Sequence, residues 1–363
     1  NTIPTSNNQP ADVVIGQTNF TSNGSGNSAS QMNGPSSVVS DGTRLFVADE
    51  GNNRILVFNT IPVSNGASAN VVLGQANFGA GHTAPNNGGR TASRLYLSDG
   101  SVYGTGMTLY QGNFSNKLII CDGANDRVLI WNDFTSLTNG KAADVVIGQS
   151  NFTGHTVPGF NASSSSTLYS PKDVDVTSTG KLIIVSRLEH RALIFNSIPN
   201  TNGVAADFIL GQVNNSDNQS NNTNSATSFA FPRSLSVSRV SDKLCIATSG
   251  DRLLIWNTFP SSDNAPADNI LGYPTLTAAN RTSFSNENIG GFSNSACGPN
   301  FVDGMNWTPA GNLLCADAGR NAVMKFNGGD NIISSPSSVT AGTISNNSVQ
   351  INWSGSSAPY FKV

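Results

Sequence analysis

The sequence predicts an all-β protein made of repeated four-stranded sheets, and three observations carry the prediction. A hairpin motif, RLFVADEGNNRILVFNTIP at residues 44–62, returns in altered form at 117–134, 181–199, 243–260 and 312–328. A short strand ending in Gly-Gln, ADVVIGQTNF at residues 11–20, returns at 69–78, 143–152, 206–215 and 267–276, and its glycines (Gly16, Gly74, Gly148, Gly211, Gly272) recur every 60 residues, roughly. Turn residues separate the apolar runs, which are short and β-branched, as in consecutive antiparallel strands. Strand-only repeats of this length are the pattern of a β-propeller, in which each four-stranded blade buries its faces against its neighbours.

Taken in order, each unit opens with a weak extended stretch: GPSSVVSDG, GSVYGTGMTLY, SPKDVDVTSTG, PRSLSVSRVSD and GPNFVDGMNWTPAG. These are the first strands. The hairpin supplies the second and third, and the Gly-Gln stretch the fourth. The fifth hairpin has no Gly-Gln strand after it, whereas the chain begins with one that has no hairpin before it. The expectation is therefore five blades over residues 1–330, closed by pairing residues 13–16 with the last blade, which removes a free edge. Six blades is the alternative.

Residues 331–363 form a linker and a tail whose Val339, Ile344, Val349, Ile351 and Trp353 are spaced as in alternating strands. This tail resembles the start of a fibronectin type III domain, and about 30 residues are too few to cover both sheets of such a sandwich. It points to a longer natural protein.

The xLFVADxGNNRxLVFN core, a Pro-containing loop and ADxVLGQxNF together resemble the NHL-repeat propellers of many bacterial extracytoplasmic proteins. That resemblance implies the propeller fold over residues 1–328. The family includes scaffolds, ligand-binding domains and some enzymes, so the fold does not choose the function.

Composition narrows the choice. Only 11% of residues are charged, with 19 Lys and Arg against 22 Asp and Glu, so no positive field exists to hold a phosphate backbone and nucleic acid is not an expected partner. No apolar run approaches the roughly 20 residues of a membrane helix, so membrane insertion is not expected either. Tracts of Asn, Ser, Thr and Gly, such as NNSDNQSNNTN at 214–224, are common on secreted and surface-displayed proteins. Cys121, Cys245, Cys297 and Cys315 form no CxxC pair. The first, second and fourth fall in strands as buried thiols, with a disulfide involving Cys297 as the alternative.

Three repeated features have structural readings. Asp49, Gly51, Asn52 and Asn53 suit a tight turn, Gly and Asn because they tolerate positive φ and Asp because it accepts bonds from the turn backbone. Arg54, Arg127, Arg191 and Arg252 precede the third strand, where a guanidinium can bridge loop carbonyls or a carboxylate of an adjacent blade. The third unit lacks the Asp, and the fifth reads Arg320-Asn321. Gln17, Gln75, Gln149 and Gln212 are expected to cap strand ends, and the following Asn-Phe to place an aromatic plug between blades. The fifth copy has Tyr273 in place of the glutamine.

No catalytic residue, ligand-binding residue or metal ligand is assigned from sequence. His82, His155 and His190 lie in loops or a turn of different units, and HExxH, GxxxxGK[ST] and GxSxG are all missing. No cofactor is expected; a structural calcium on Asp- and Asn-rich turns is the one alternative, without a DxDxDG loop to hold it. The expected function is a non-enzymatic, extracellular or cell-surface recognition or assembly module. It would bind a glycan or a protein, or another copy of itself, through the long loops 79–94, 153–170 and 216–228. The alternatives are a propeller lyase or lactonase with a channel metal, and a subunit of a surface layer or extracellular fibre.

Overall fold

The computed structural model describes residues 10–79, 89–97, 104–112, 115–158, 162–218, 225–248, 252–271, 302–308, 311–317, 322–326, 338–345 and 348–354. Five blades follow one another along the chain. Blade one is β1 (Pro35–Ser40), β2 (Leu45–Asp49), β3 (Arg54–Phe58) and β4 (Val71–Leu73). Blade two is β5 (Met107–Gly112), β6 (Ser115–Asp122), β7 (Arg127–Trp131) and β8 (Val145–Ile147). Blade three is β9 (Pro171–Val176), β10 (Leu182–Ser186), β11 (Arg191–Phe195) and β12 (Phe208–Leu210). Blade four is β13 (Ser234–Val237), β14 (Leu244–Thr248), β15 (Arg252–Trp256) and β16 (Asn269–Leu271). Blade five has β17 (Val302–Trp307), β18 (Leu313–Asp317) and β19 (Ala322–Phe326). Within each blade the strands pair antiparallel in chain order. In the tail, β20 (Ser338–Ser345) and β21 (Ser348–Ser354) form one further hairpin.

The period-2 alternation decides which neighbour each side chain meets. On β2, Phe46 and Ala48 join the apolar cluster shared with blade two, and Val47 turns to the opposite face. Similar clusters join blades two and three, three and four, and four and five. The successive first strands touch, β1 with β5, β5 with β9, β9 with β13 and β13 with β17, so they line the interior.

A second contact between blades was not read from the sequence. The loop joining the third and fourth strands reaches back to the previous blade's outer strand and covers its free edge. Val72 N donates to Asn139 Oδ1 at 3.0 Å, and Val72 O accepts from Gly140 N at 2.9 Å. The same pair of bonds joins Val146 to Asn202 and Gly203, and Ile209 to Asp263 and Asn264. An edge strand whose outward groups are used in this way offers no template to another chain.

Val14 is held in the same manner: its N donates to Asn65 Oδ1 at 2.9 Å and its O accepts from Gly66 N at 3.1 Å. Residues 13–16 thus take, on blade one, the seat that an outer strand takes at the other boundaries, without being in a strand ladder among the described residues. The expected closing pair is only half made, because the sheet of blade five has three strands and no ladder joins 13–16 to β19 among the described residues.

Candidate functional site

The hairpin turns carry the repeated motif, and their chemistry is internal. In blade one the buried Arg54 uses all five of its N–H groups: Nε on Asp49 Oδ2 at 2.6 Å, Nη1 on the carbonyls of Asn27 and Phe78, and Nη2 on those of Ser28 and Gln31. Asp49 also accepts from Asn33 N and Asn52 Nδ2. Arg127 and Asp122 repeat the arrangement in blade two, with burial pushing the Asp122 carboxyl up and Arg127 drawing it back. The carboxylate therefore belongs to the arginine's own hairpin rather than to an adjacent blade, and it serves side chains and the incoming linker rather than the turn's backbone. A guanidinium fork suits several carbonyls in one plane.

Blade three, which has Ser186 where blades one and two have Asp49 and Asp122, takes its carboxylate from the turn. Glu189 Oε1 meets Arg191 Nη2 at 2.6 Å, and its Oε2 accepts from Ser186 Oγ at 2.6 Å. The exchange leaves Arg191 Nε without a partner. Arg320 and Asn321 lie outside the described residues.

The last turn residue has a task that the sequence did not disclose. Asn53, Asp126 and His190 all adopt φ of 54°, in the left-handed region. From there each side chain accepts a backbone N–H at the entrance to the next blade: Asn53 Oδ1 from Leu97, Asp126 Oδ1 from Ser170, and His190 Nδ1 from Phe231, at 2.8–2.9 Å. His190 must therefore be neutral at Nδ1, in keeping with a pKa lowered to about 4 by burial and by Arg187. His155 is bound by Nε2 to Asp126 Oδ2 at 2.7 Å. His82 and Cys297 lie outside the described residues, whereas Cys121, Cys245 and Cys315 are buried free thiols.

The glutamines cap as expected. Gln149 Nε2 donates to the carbonyls of Asp126 and Thr156, while its Oε1 accepts from Thr156 N. Gln212 reaches the carbonyls of Glu189 and His190. The aromatic plugs are less uniform. Phe78 and Phe152 pack on apolar clusters, but Phe20 is 54% exposed, so the first copy is a correction to the expectation.

The remaining concentration of polar groups lies around the axis. A cavity of about 660 Å³ is lined by all five first-strand segments, with Ser36 and Ser40, Thr108 and Gln111, Asp173 and Asp175, Ser234 and Arg239, and Asn306 among its walls. Asp173 and Asp175 are i, i+2 partners on β9 and point to the same side. Asp173 Oδ2 accepts from Leu235 N at 2.8 Å and Ser234 Oγ at 3.1 Å, and Asp175 Oδ2 accepts from Val237 N at 2.8 Å. Both carboxylates thereby staple the free edge of β13.

Asp175 Oδ1 has a second role, meeting Arg239 Nη2 at 2.6 Å and Thr108 Oγ1 at 3.0 Å, while Arg239 keeps 43% of its side chain exposed. Burial, with the charge of Asp175 added, raises the Asp173 pKa to about 7 despite its hydrogen bonds. Gly106 is required where β5 meets β9, because its N bonds Lys172 O at 2.9 Å and a Cβ there would lie 2.3 Å from Asp173 Cα. No group of three His, Cys, Asp or Glu side chains is arranged for a metal among the described residues.

No family model matches the chain, and no curated protein matches it. Solved structures with some likeness include selenomethionine-substituted virginiamycin B lyase from Staphylococcus aureus, 11% identical with a TM-score of 0.40 over 90% of this chain and 86% of that one. Another is the WD40 β-propeller domain of Doa1, 10% identical with a TM-score of 0.38 over 77% of this chain and 61% of that one. A catalytically inactive variant of the same lyase with quinupristin is 10% identical, with a TM-score of 0.38 over 88% and 83%.

Proposed function

We propose that this propeller is a non-enzymatic recognition module of the extracellular or cell-surface kind, which binds a polar partner such as a glycan. The axial cavity carries the reading. Its walls come from all five blades and are rich in hydroxyl and amide groups, and Arg239 is held at a fixed place by Asp175 and Thr108 with part of its guanidinium open. Rigid strands that present donors and acceptors around a cavity suit polyhydroxyl ligands, and a fixed arginine adds a site for a carboxylate. The uncharged polar loops support the same setting.

The test is binding of immobilised neutral and uronate-bearing oligosaccharides by the purified chain and by Arg239→Gln. Uronate binding weakened about tenfold in the variant, roughly 1.4 kcal/mol, supports the reading. No binding by the unaltered chain to any member of either set overturns it.

A lyase or lactonase is the second reading, and the observation favouring it is Asp173, a channel carboxyl whose pKa of about 7 fits proton transfer near neutral pH. Turnover of lactone or cyclic-ester substrates that disappears in Asp173→Asn, while the variant remains folded, would move the assignment there.

A further inference from the structure

At the boundaries from blade one through to blade five, three side chains meet from equivalent places. One is on the second strand of the earlier blade, and the other two are a directly opposed pair on the first and second strands of the later one. Between blades one and two they are Phe46, Met107 and Ile120; between two and three, Ile119, Val174 and Ile184; between three and four, Ile183, Leu235 and Ile246. All belong to the apolar clusters there, so packing asks only for an apolar side chain of fitting volume at these places. Between blades four and five the three residues are Cys245, Met305 and Cys315.

Alternation along the strands brings the three sulfurs together. Cys245 shares its side of β14 with Ala247, Cys315 shares its side of β18 with Leu313, and both thiols are 0% exposed. The Cys245 thiol donates to Met305 Sδ, with the two sulfurs 3.7 Å apart. Met305 stands opposite Cys315 in the β17–β18 register, on the same face of blade five. Burial and the neighbouring Cys315 push the Cys245 thiol well above its ordinary range, so it is protonated. Three sulfur ligands about 2.3 Å from one trigonal ion lie about 4 Å from each other, which the 3.7 Å separation nearly matches. Met305 is half-buried and also lies in the wall of the axial cavity, so one side chain touches both the cavity and the Cys245 thiol.

We propose that Cys245, Met305 and Cys315 form a site for a soft monovalent cation, copper(I), held between blades four and five and reached from the axial cavity past the Met305 thioether. Thiolate and thioether sulfur select Cu(I), whereas hard cations take oxygen ligands. Structural zinc sites draw four ligands from Cys, His, Asp and Glu, and no group of three such side chains is arranged for a metal among the described residues. On binding, the ion displaces a thiol proton: S–H becomes S–Cu(I), the proton leaves to solvent, and no electron is exchanged. Replacing one cation by another of equal charge adds no net charge to the apolar surroundings of Ala247, Leu253 and Leu313. The bound ion ties β14 of blade four to β17 and β18 of blade five. Its sulfur ligands are distinct from the hydroxyl, amide and guanidinium groups proposed to hold a glycan.

The test uses the whole chain carrying Cys121→Ala and Cys297→Ala, which keeps Cys245 and Cys315 as its only thiols. Cu(I) alone is added without oxygen, its retention is read against a chromogenic Cu(I) chelator, and X-ray absorption at the copper edge counts the sulfur ligands. The expected result is one Cu(I) per chain, held by three sulfurs at about 2.3 Å. Met305→Leu keeps the side-chain volume, so it should leave the metal-free chain folded and weaken retention at least tenfold. Cys245→Ala should remove it. Where the double substitution unfolds the chain, Met305→Leu and Cys245→Ala are compared in the parent chain, and each should lower its copper content by one equivalent at a chelator concentration that the parent resists. Three outcomes overturn the proposal: no retention by the folded chain, retention that Met305→Leu leaves unchanged, or copper held by two sulfurs only.

Discussion

The two VVIGQ stretches, residues 13–17 and 145–149, have one sequence and two environments. In the second, the apolar side chains are covered by β7 on one edge and by the adjoining blade on their faces, and Gln149 makes three hydrogen bonds to two residues. In the first, the loop of blade one is in place but no ladder is made among the described residues, and Gln17 has one bond there, from Nε2 to Gly24 O at 2.9 Å. The difference teaches that the loop seat and the strand ladder are separate contributions. A short strand can be positioned by the former without being buried by the latter.

The largest expected break between the copies is a charge in the middle of the strand. Val146→Asp places a carboxylate in a dry interface and should cost roughly 4 kcal/mol or more, whereas Val14→Asp, half in water, should cost about 1. Urea unfolding of the two variants measures this, and equal losses would show that the first copy is buried like the second.

Next is the cap. Gln149→Ala leaves two carbonyls and an N–H without their partner and should cost about 2 kcal/mol, against about 0.5 for Gln17→Ala. The shift in denaturation midpoint reads both.

The loop seat should sharpen the comparison by showing no difference. Asn139→Ala and Asn65→Ala each remove one side-chain acceptor from an edge N–H, and each should cost about 1 kcal/mol. A much smaller loss for Asn65→Ala would mean that Val14 is not held as its counterpart is.

The smallest effect at neutral pH, and the most selective, belongs to His190 in the hairpin turn of blade three. Its folded pKa of about 4 lies below the ordinary 6.5, so between these values the unfolded chain binds more protons. This group's contribution is complete above pH 6.5 and declines as pH falls towards 4. Asp173 acts in the opposite direction, since a carboxyl raised to about 7 makes stability fall as pH rises from about 4 to 7. His190→Asn keeps an acceptor and a residue tolerant of positive φ, as Asn53 shows in blade one. It should change stability little at pH 7.5 and remove the acid-side decline due to His190, as followed by thermal unfolding at a series of pH values.

Much of this was legible in the residues. Alternation and the recurring Gly-Gln placed the strands, and the coincidence of Arg with the start of the third strand in blades one to four announced a repeated structural bond. What Arg54 binds was not legible, because its acceptors are carbonyls of Asn27, Ser28, Gln31 and Phe78, which any residue type supplies. The replacement of Asp by Glu189 in blade three was equally hidden, since a carboxylate three positions later reaches the same guanidinium only in the folded turn. The loop seat did leave a signal: Asn65-Gly66, Asn139-Gly140, Asn202-Gly203 and Asp263-Asn264 precede each fourth strand at a near-constant distance.

The axial site belongs to the other extreme. Asp173, Asp175, Thr108 and Arg239 come from three blades, and nothing in their local sequence distinguishes them from solvated residues of first strands.

By itself, then, the sequence determined the strands, their order within a blade and the repeated turn chemistry, because these depend on side-chain periodicity and on residues close together in the chain. Only the tertiary structure decided which carboxylates meet at the axis and which of two identical segments is covered. Both depend on what a neighbouring blade brings to within a few ångströms.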